Sequence, residues 1–443
     1  MTAAAAPDPA HFTRAVTQLG ERQRVVSSTA VFNAQGLKVI DKGVVIDARL
    51  YERLTQHQLR QPLDQCVEAE STVHAAALRE AVQTILDTEP FFGAMIGTGR
   101  LRDQLLEEVS QVPLPKPVAF QLTIARETQP ELWRHGLHCA ITAAWLADRQ
   151  HATRHDLRML ATAGLLHDLG MLHVDPVLMQ PTIQLERAQR RQLYAHPLVS
   201  TMLLERHHEF PRPVLSAVLE HHERLDGSGY PRGVRDSSIS PWGRILALAE
   251  LVTAMIDADH PPPMTRLSVA LRMNGHRCER PLVAEVLALL ERLPHEEAMP
   301  PADGAIEDLI EIDRLLRAWP ATHADAAADA RAVAVSRVHD QCGQVLRLLA
   351  DAGAASAQLE MLGGDVDPAL ASELALILHE ASWQLRIVSR QARRRWALGK
   401  DEAFPDWMAG WLGEIDQVCD RRLGTVDARP EPVGSVTDKA LAG

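Results

Sequence analysis

A mainly α protein is predicted by three features of this 443-residue chain. Aromatic residues make up only 4% while Leu and Ala abound, which favours helices over sheets. Apolar residues recur at three- and four-residue steps from Thr128 to about Leu293, and again through the last third. β-type runs are short and sit in one small unit near the N-terminus. The length implies two or three domains.

In chain order, residues 1–28 are expected to be a disordered tail. Met1 to Pro9 is rich in Ala and Pro and lacks the basic and apolar regions of a signal peptide. Residues 29–110 form a small α+β accessory region. Within it, Leu37–Ile40 and Val44–Ile46 are expected to pair as a hairpin through Asp41-Lys42-Gly43. Asp47 can cap a helix running through Leu50, Tyr51 and Leu54. Helical spacing continues from about Ser71 to Ser110. Residues 120–293 are the main helical domain, interrupted by His260-Pro261-Pro262-Pro263. A linker from Pro294 to Gly304 leads to a C-terminal helical domain, 305–427. Its helices are expected at Leu309–Trp319, Val338–Leu349 and Leu370–Trp396, and Ala321–Ala332 is a hinge or soft helix. Residues 428–443 are expected to be a second disordered tail.

The net charge of −12 argues against a general binder of DNA or of anionic membranes. A nucleotide ligand stays open, because metal ions can supply local positive charge. No apolar run is long enough to span a bilayer. Cys66, Cys139, Cys278, Cys342 and Cys419 are scattered and never form Cys-x-x-Cys, which fits a reducing compartment and a cytoplasmic location.

The chemistry concentrates between Glu131 and Glu250. His221-His222-Glu223-Arg224-Leu225-Asp226-Gly227-Ser228-Gly229-Tyr230-Pro231 joins two imidazoles and a carboxylate to a Gly-rich turn. His167-Asp168 closes an amphipathic helix, so both can reach one ion. His135 lies on the helix beginning near Thr128, with Glu131 four residues earlier on the same face. Glu131 reads equally as a ligand or as part of a capping box, Thr128-Gln129-Pro130-Glu131. His196 precedes Pro197, which is expected to restrict its backbone away from the α region. Glu250 sits in an apolar helical run, where a carboxylate is expensive to bury unless paired or metal-bound. His138 is expected to be core or surface, and His207-His208-Glu209 a solvated helix end. Imidazole and carboxylate donors suit Fe, Mn and Zn, and more than four of them imply more than one ion.

These residues, in this order, resemble the HD-GYP family of bacterial phosphodiesterases, a branch of the HD metal-dependent phosphohydrolases. The resemblance runs from about Glu131 to Met255. It implies an all-helical domain with two or three divalent ions, usually iron or manganese, and cyclic di-GMP as substrate, hydrolysed to pGpG and often on to GMP. By motif, His135, His167, Asp168 and Glu250 take the places of the HD ligands. His196, His221 and His222 take those of the second-metal ligands, and Glu131 that of a third-ion ligand. His167 and Asp168 stand at the catalytic centre, where two cations share a water and lower its pKa for in-line attack on phosphorus. Gly227, Gly229, Tyr230 and Pro231 form the supporting turn, with Glu223 and Asp226 orienting it.

The chain also departs from the family pattern. Met171 stands where the family usually carries a lysine, and Glu250 where it carries an aspartate. Ala258-Asp259-His260-Pro261 replaces an Arg-Pro-Tyr segment, and Pro181 falls near another common lysine. A catalytically weak or inactive relative that binds metal and nucleotide and signals through its C-terminal helices is therefore the alternative to the phosphodiesterase. A third possibility is an HD phosphohydrolase with another nucleotide substrate. The C-terminal helices are expected to serve a homodimer or a protein partner.

Overall fold

The computed structural model describes residues 9–179, 186–258, 263–294, 304–319, 330–362, 366–396 and 406–423. The fold is mainly helical, as the composition predicts. It divides into two compact units, Met1–Asp257 with Ala284–Leu289, and Ala258–Val283 with Leu290–Gly443.

The first unit opens with α1 (Pro9–Arg22), within the expected disordered tail. Phe12, Ala15, Val16 and Leu19 form a buried stripe at helical spacing, which orders the segment by packing despite its Ala/Pro-rich start. Strands β1 (Val25–Ser27), β2 (Val31–Phe32), β3 (Lys38–Ile40) and β4 (Val67–Ala69) follow. β1 pairs antiparallel with β4, and β2 with β3. The expected hairpin is therefore replaced: Lys38–Ile40 turns back onto Val31–Phe32. The Val44–Ile46 run lies along β1 instead, with Ser27 N donating to Val44 O and Ile46 N to Val25 O. The cause is the buried Ser27, whose hydroxyl accepts from Val44 N and donates to Asp41 O. Asp47 does cap the next turn, accepting from Arg49 N at 3.0 Å.

Helices α2 (Tyr51–Thr55), α3 (Ala75–Thr88), α4 (Pro90–Ile96), α5 (Arg100–Val109) and α6 (Lys116–Thr128) lead to the helices that carry the site. These are α7 (Pro130–Arg149), α8 (Arg154–Leu166), α9 (Arg187–Tyr194), α10 (His196–Leu204), α11 (Arg212–Glu220) and α12 (Pro241–Asp257). α7 is buried continuously from Gly136 to Ala147, as a central helix must be. α8 packs closely against it because Gly164 has no side chain; a Cβ there would come within 2.7 Å of Cys139 O. Thr153 and Asp156 form a capping box that starts α8, a device worth about 1 kcal/mol. Arg154 and Arg158 both donate to the buried Glu108, fixing α8 on α5. The accessory region belongs to the same unit: Val73 N donates to Thr123 Oγ1, and Gln121 Nε2 to Asp64 Oδ2.

The second unit holds α13 (Pro263–Asn274), α15 (Ala305–Ala318), α16 (Ala330–Asp351), α17 (Ser356–Met361), α18 (Pro368–Trp396) and α19 (Asp406–Leu423). α14 (Arg280–Leu290) is divided between the units. The expected borders 120–293 and 305–427 thus differ from the observed division, since α13 goes with the C-terminal helices. Its apolar face, Val269 and Met273, joins one core with Leu309, Leu349, Leu385 and Leu412. Asn274 Nδ2 donates to Glu380 Oε1, and Arg272 pairs with Glu373. The hinge expected at Ala321–Ala332 falls largely outside the described residues, as do most of the expected linker and the tail after residue 427.

Candidate metal centre

Two groups of donor atoms lie side by side in the first unit: His135, Cys139, His167 and Glu250; and Asp168, His196, His221 and His222. Within each, one donor atom per residue lies within 4.8 Å of all the others. The helices explain the convergence. His135 and Cys139 are one turn apart on α7, His167 ends α8, His196 starts α10, His221 ends α11, and Glu250 faces inward from the middle of α12.

In the first group, Glu250 Oε2 is the common point. It lies 2.8 Å from His135 Nε2, 3.3 Å from His167 Nε2 and 3.5 Å from Cys139 Sγ. In the second, Asp168 Oδ1 lies 3.1 Å from His196 Nε2 and 3.5 Å from His221 Nε2. Asp168 Oδ2 turns the other way, 3.5 Å from His167 Nε2. One carboxylate therefore faces both groups. His221 and His222 differ in direction, as consecutive helical residues must, yet their ring centroids are 4.2 Å apart. Both lie near His196, whose ring centre is 5.3 and 5.0 Å away.

The imidazoles are held in one tautomer by a repeated local device. His167 Nδ1 bonds Gly164 O at 2.7 Å, His196 Nδ1 bonds Leu193 O at 2.7 Å, and His221 Nδ1 bonds Val218 O at 2.6 Å. A carbonyl only accepts, so each Nδ1 carries the proton and each Nε2 lone pair points inward. His135 uses Asp257 Oδ2 in the same way at 3.1 Å. The centre is consequently rich in acceptors. His167 Nε2, Asp168 Oδ1 and His222 Nδ1 are buried without a hydrogen-bond partner among the described residues. Lone pairs converging on carboxylates need protons or cations between them, and this donor set fits divalent ions.

Protonation preferences follow the charges. Burial opposes charge on His135, but Glu250 and then Asp257 outweigh it and hold its pKa well above the ordinary value. Burial opposes charge on His167 too, and Asp168 and Glu250 raise it in the balance. Asp168 and Glu250 are held well below the usual carboxylate range, because neighbouring imidazoles override their burial. Burial drives His221 down to about 4, and pushes His222 well below its ordinary value with help from His221 and His196.

A rigid turn supports the second group. Tyr230 stacks on His222 with ring centres 4.5 Å apart, and on Tyr194 at 4.4 Å. Tyr230 N donates to His222 O at 3.1 Å, and the Tyr230–Pro231 peptide is cis. Gly227 has φ +76°, a conformation that favours glycine. Gly229 is needed for a different reason than unusual backbone angles: a Cβ would sit 2.3 Å from His222 O. Asp226 Oδ1 accepts from Ser228 N at 2.9 Å and so shapes the turn. Glu223 is fully buried and accepts from Arg232 N and Val234 N at 2.8 and 3.1 Å.

Some expectations need correction. Glu131 joins neither group; it is exposed in the first turn of α7. The capping box fails as well, since Thr128 Oγ1 donates back to Ile124 O and Gln129 takes the cap position. His196 is the first residue of α10, with Pro197 in the first turn, where its missing N–H costs nothing. His138 is a core residue, stacked on Phe92 and bonded through Nδ1 to Asp257 Oδ1 at 2.6 Å. His208 is exposed, as expected of a solvated helix end. Asp259, His260, Pro261 and Pro181 lie outside the described residues.

Three further residues, not among the expected ligands, meet the donor groups or their supporting turn. Cys139 stands four residues after His135, and Asp257 seven after Glu250; both spacings return to one helix face. Glu220, immediately before His221, accepts from Ser240 N at 2.8 Å and pairs with Arg232, anchoring the start of α12. Its signal was the symmetric Glu-His-His-Glu order, in which outer acids hold the loop and inner imidazoles face the centre.

Residues 120–276 match the family model described as HD domain. A 3′3′-cGAMP-specific phosphodiesterase 3 from Vibrio cholerae is 24% identical over 54% of this chain and 55% of its own length. The cyclic di-GMP phosphodiesterase PA4108 of Pseudomonas aeruginosa is 31% identical over 42% of this chain and 46% of its own. The chain thus spans about half the length of these curated relatives. Among solved structures, Bd1817, a HDG"Y"P protein from Bdellovibrio bacteriovorus, aligns with TM-score 0.35 and 14% identity over 61% of this chain and 94% of that one. The matched HD-domain region, residues 120–276, holds both donor groups and the Gly-Tyr-Pro turn that stacks on His222.

Proposed function

We propose that this chain is a metal-dependent phosphodiesterase that hydrolyses cyclic di-GMP to pGpG, GMP or both. The observation that carries the reading is Asp168, whose two carboxylate oxygens face the two donor groups. His135, His167, Asp168 and Glu250 would hold one ion, and Asp168, His196, His221 and His222 a second. Iron or manganese suits these donors best. Bound ions supply Lewis acidity, a water of lowered pKa and neutralisation of phosphoryl charge. The protein's part is positional. Backbone carbonyls fix the histidine tautomers, Asp257 orients His135, and the Glu220–Glu223 segment secures the turn that packs on His222. Leu132, Trp133, Leu165 and Leu169 wall a pocket that Asp168 also lines. The five free buried cysteines support a reducing, cytoplasmic setting. No helix among the described residues is long and apolar enough to cross a membrane. The C-terminal helices would pair with a second copy or a protein partner.

A second reading, a metal- and nucleotide-binding signalling protein of low activity, is favoured by Met171. This residue is buried among Val174, Leu178 and Leu193, an apolar site where the HD-GYP resemblance implies a lysine. One experiment separates the readings. Protein purified anaerobically is assayed for Fe, Mn and Zn, and for turnover of cyclic di-GMP and 3′3′-cGAMP, with His167→Ala as control. Two ions per chain with turnover lost in the variant support the phosphodiesterase. Ions without turnover support the signalling reading, and absence of ions defeats both.

A further inference from the structure

We propose that Cys139 is a sulfur ligand of the ion in the first donor group, which makes that group a mixed imidazole, carboxylate and thiolate site. The inference rests on the reading that this group holds an ion. Cys139 is fully buried and follows His135 by one turn of α7, so its side chain projects toward the same point. Its Sγ lies 3.5 Å from Glu250 Oε2, the oxygen that also meets His135 Nε2 and His167 Nε2. A second observation points to a cation at this place. The fully buried His167 Nε2 is aimed at the same oxygen without a hydrogen-bond partner, its Nδ1 proton being committed to Gly164 O.

The position also fits the chemistry of sulfur. Cys139 sits at a close approach of α7 and α8, where a Cβ on Gly164 would come within 2.7 Å of its carbonyl oxygen. Coordination replaces the S–H bond with a sulfur–metal bond and releases one proton to solvent. A thiolate is a soft donor and shifts the preference of the first group from manganese toward zinc or iron. The second group, with imidazole and carboxylate alone, keeps no such bias. Cys66, Cys278, Cys342 and Cys419 belong to neither group.

The test uses the full chain loaded with cobalt(II), and in parallel with zinc. Bound metal per chain is measured first. Sulfur coordination is then read from near-ultraviolet thiolate-to-cobalt absorption, and from a sulfur shell at about 2.3 Å in the zinc X-ray absorption spectrum. The same measurements on Cys139→Ser and Cys139→Ala identify the sulfur. The expected result is a sulfur signature in the wild-type protein, its loss in both variants, and a fall in first-group zinc affinity of at least ~10-fold. Metal bound without a sulfur signature, or a signature that survives in either variant, overturns the thiolate and leaves the metal centre standing. A wild-type chain that binds no cobalt or zinc overturns both.

Discussion

The two donor groups share Asp168 but handle protons in opposite ways. In the first, Glu250 and Asp257 flank His135 and raise its pKa, and Asp168 and Glu250 do the same for His167. In the second, three imidazoles face one carboxylate, and burial keeps His221 and His222 neutral. The ratio of acids to imidazoles sets the direction: carboxylates raise the histidines of the first group, whereas burial, helped by neighbouring imidazoles, lowers His221 and His222 in the second.

Replacing the residue that faces both groups should cost most. Asp168→Asn is expected to lower metal retention in both groups and turnover by at least ~100-fold, since even an outer partner of a metal ligand costs 10–100-fold. Metal per chain and cyclic di-GMP hydrolysis check this; normal retention of both ions would remove Asp168 from its bridging role. A narrower change sharpens the contrast. Asp257→Asn frees His135 Nδ1 and should weaken the first group by ~10–100-fold while leaving the second unchanged, measured by competitive metal titration.

A third change acts on the second group alone. Gly229→Ala pushes a methyl against His222 O and should destabilise the fold by about 1–3 kcal/mol. Thermal unfolding and second-group occupancy should both report it. Occupancy of the first group should hold.

The smallest effect is the pH dependence of metal-free protein. The ordinary histidine value is 6.5, and His221 falls to about 4 on folding. Between these values the unfolded chain binds a proton that the folded chain refuses, so stability rises with pH, by at most ~1.4 kcal/mol per pH unit per proton. His135 and His167 have the opposite sign. Their raised values favour the folded state below 6.5, and that contribution is lost as pH rises through their folded values. Denaturant titrations across pH should show the rising limb shrink in His221→Gln, where His222 keeps the remainder, and the falling limb shrink in His135→Gln, where His167 keeps the remainder. Identical profiles in the two variants would erase the distinction between the groups.

Much of this was legible beforehand. The helical class followed from spacing and composition, and seven donor residues followed from short motifs with local meaning. The errors share a cause. The β2–β3 pairing, the placing of α13 and the order in α1 all depend on partners distant in sequence. Ser27, for example, captures Val44 through its hydroxyl, which no run of β-type residues announces. Glu131 had the right spacing from His135, but spacing places a side chain on a face without saying where that face points.

Residue order alone specified the chemistry that is local in the chain. His167 beside Asp168, His221 beside His222, and the Gly-x-Gly-Tyr-Pro turn all act within a few bonds, and the Nδ1 contacts of His167 and His221 reach only three residues back. Tertiary packing alone decided that Cys139 and Asp257 join the centre and that Glu131 does not. The Cys139–Glu250 and His135–Asp257 contacts span 111 and 122 residues. Spacing puts Cys139 on the face of His135 and Asp257 on that of Glu250, but only the packing of α7 against α12 brings the two faces together.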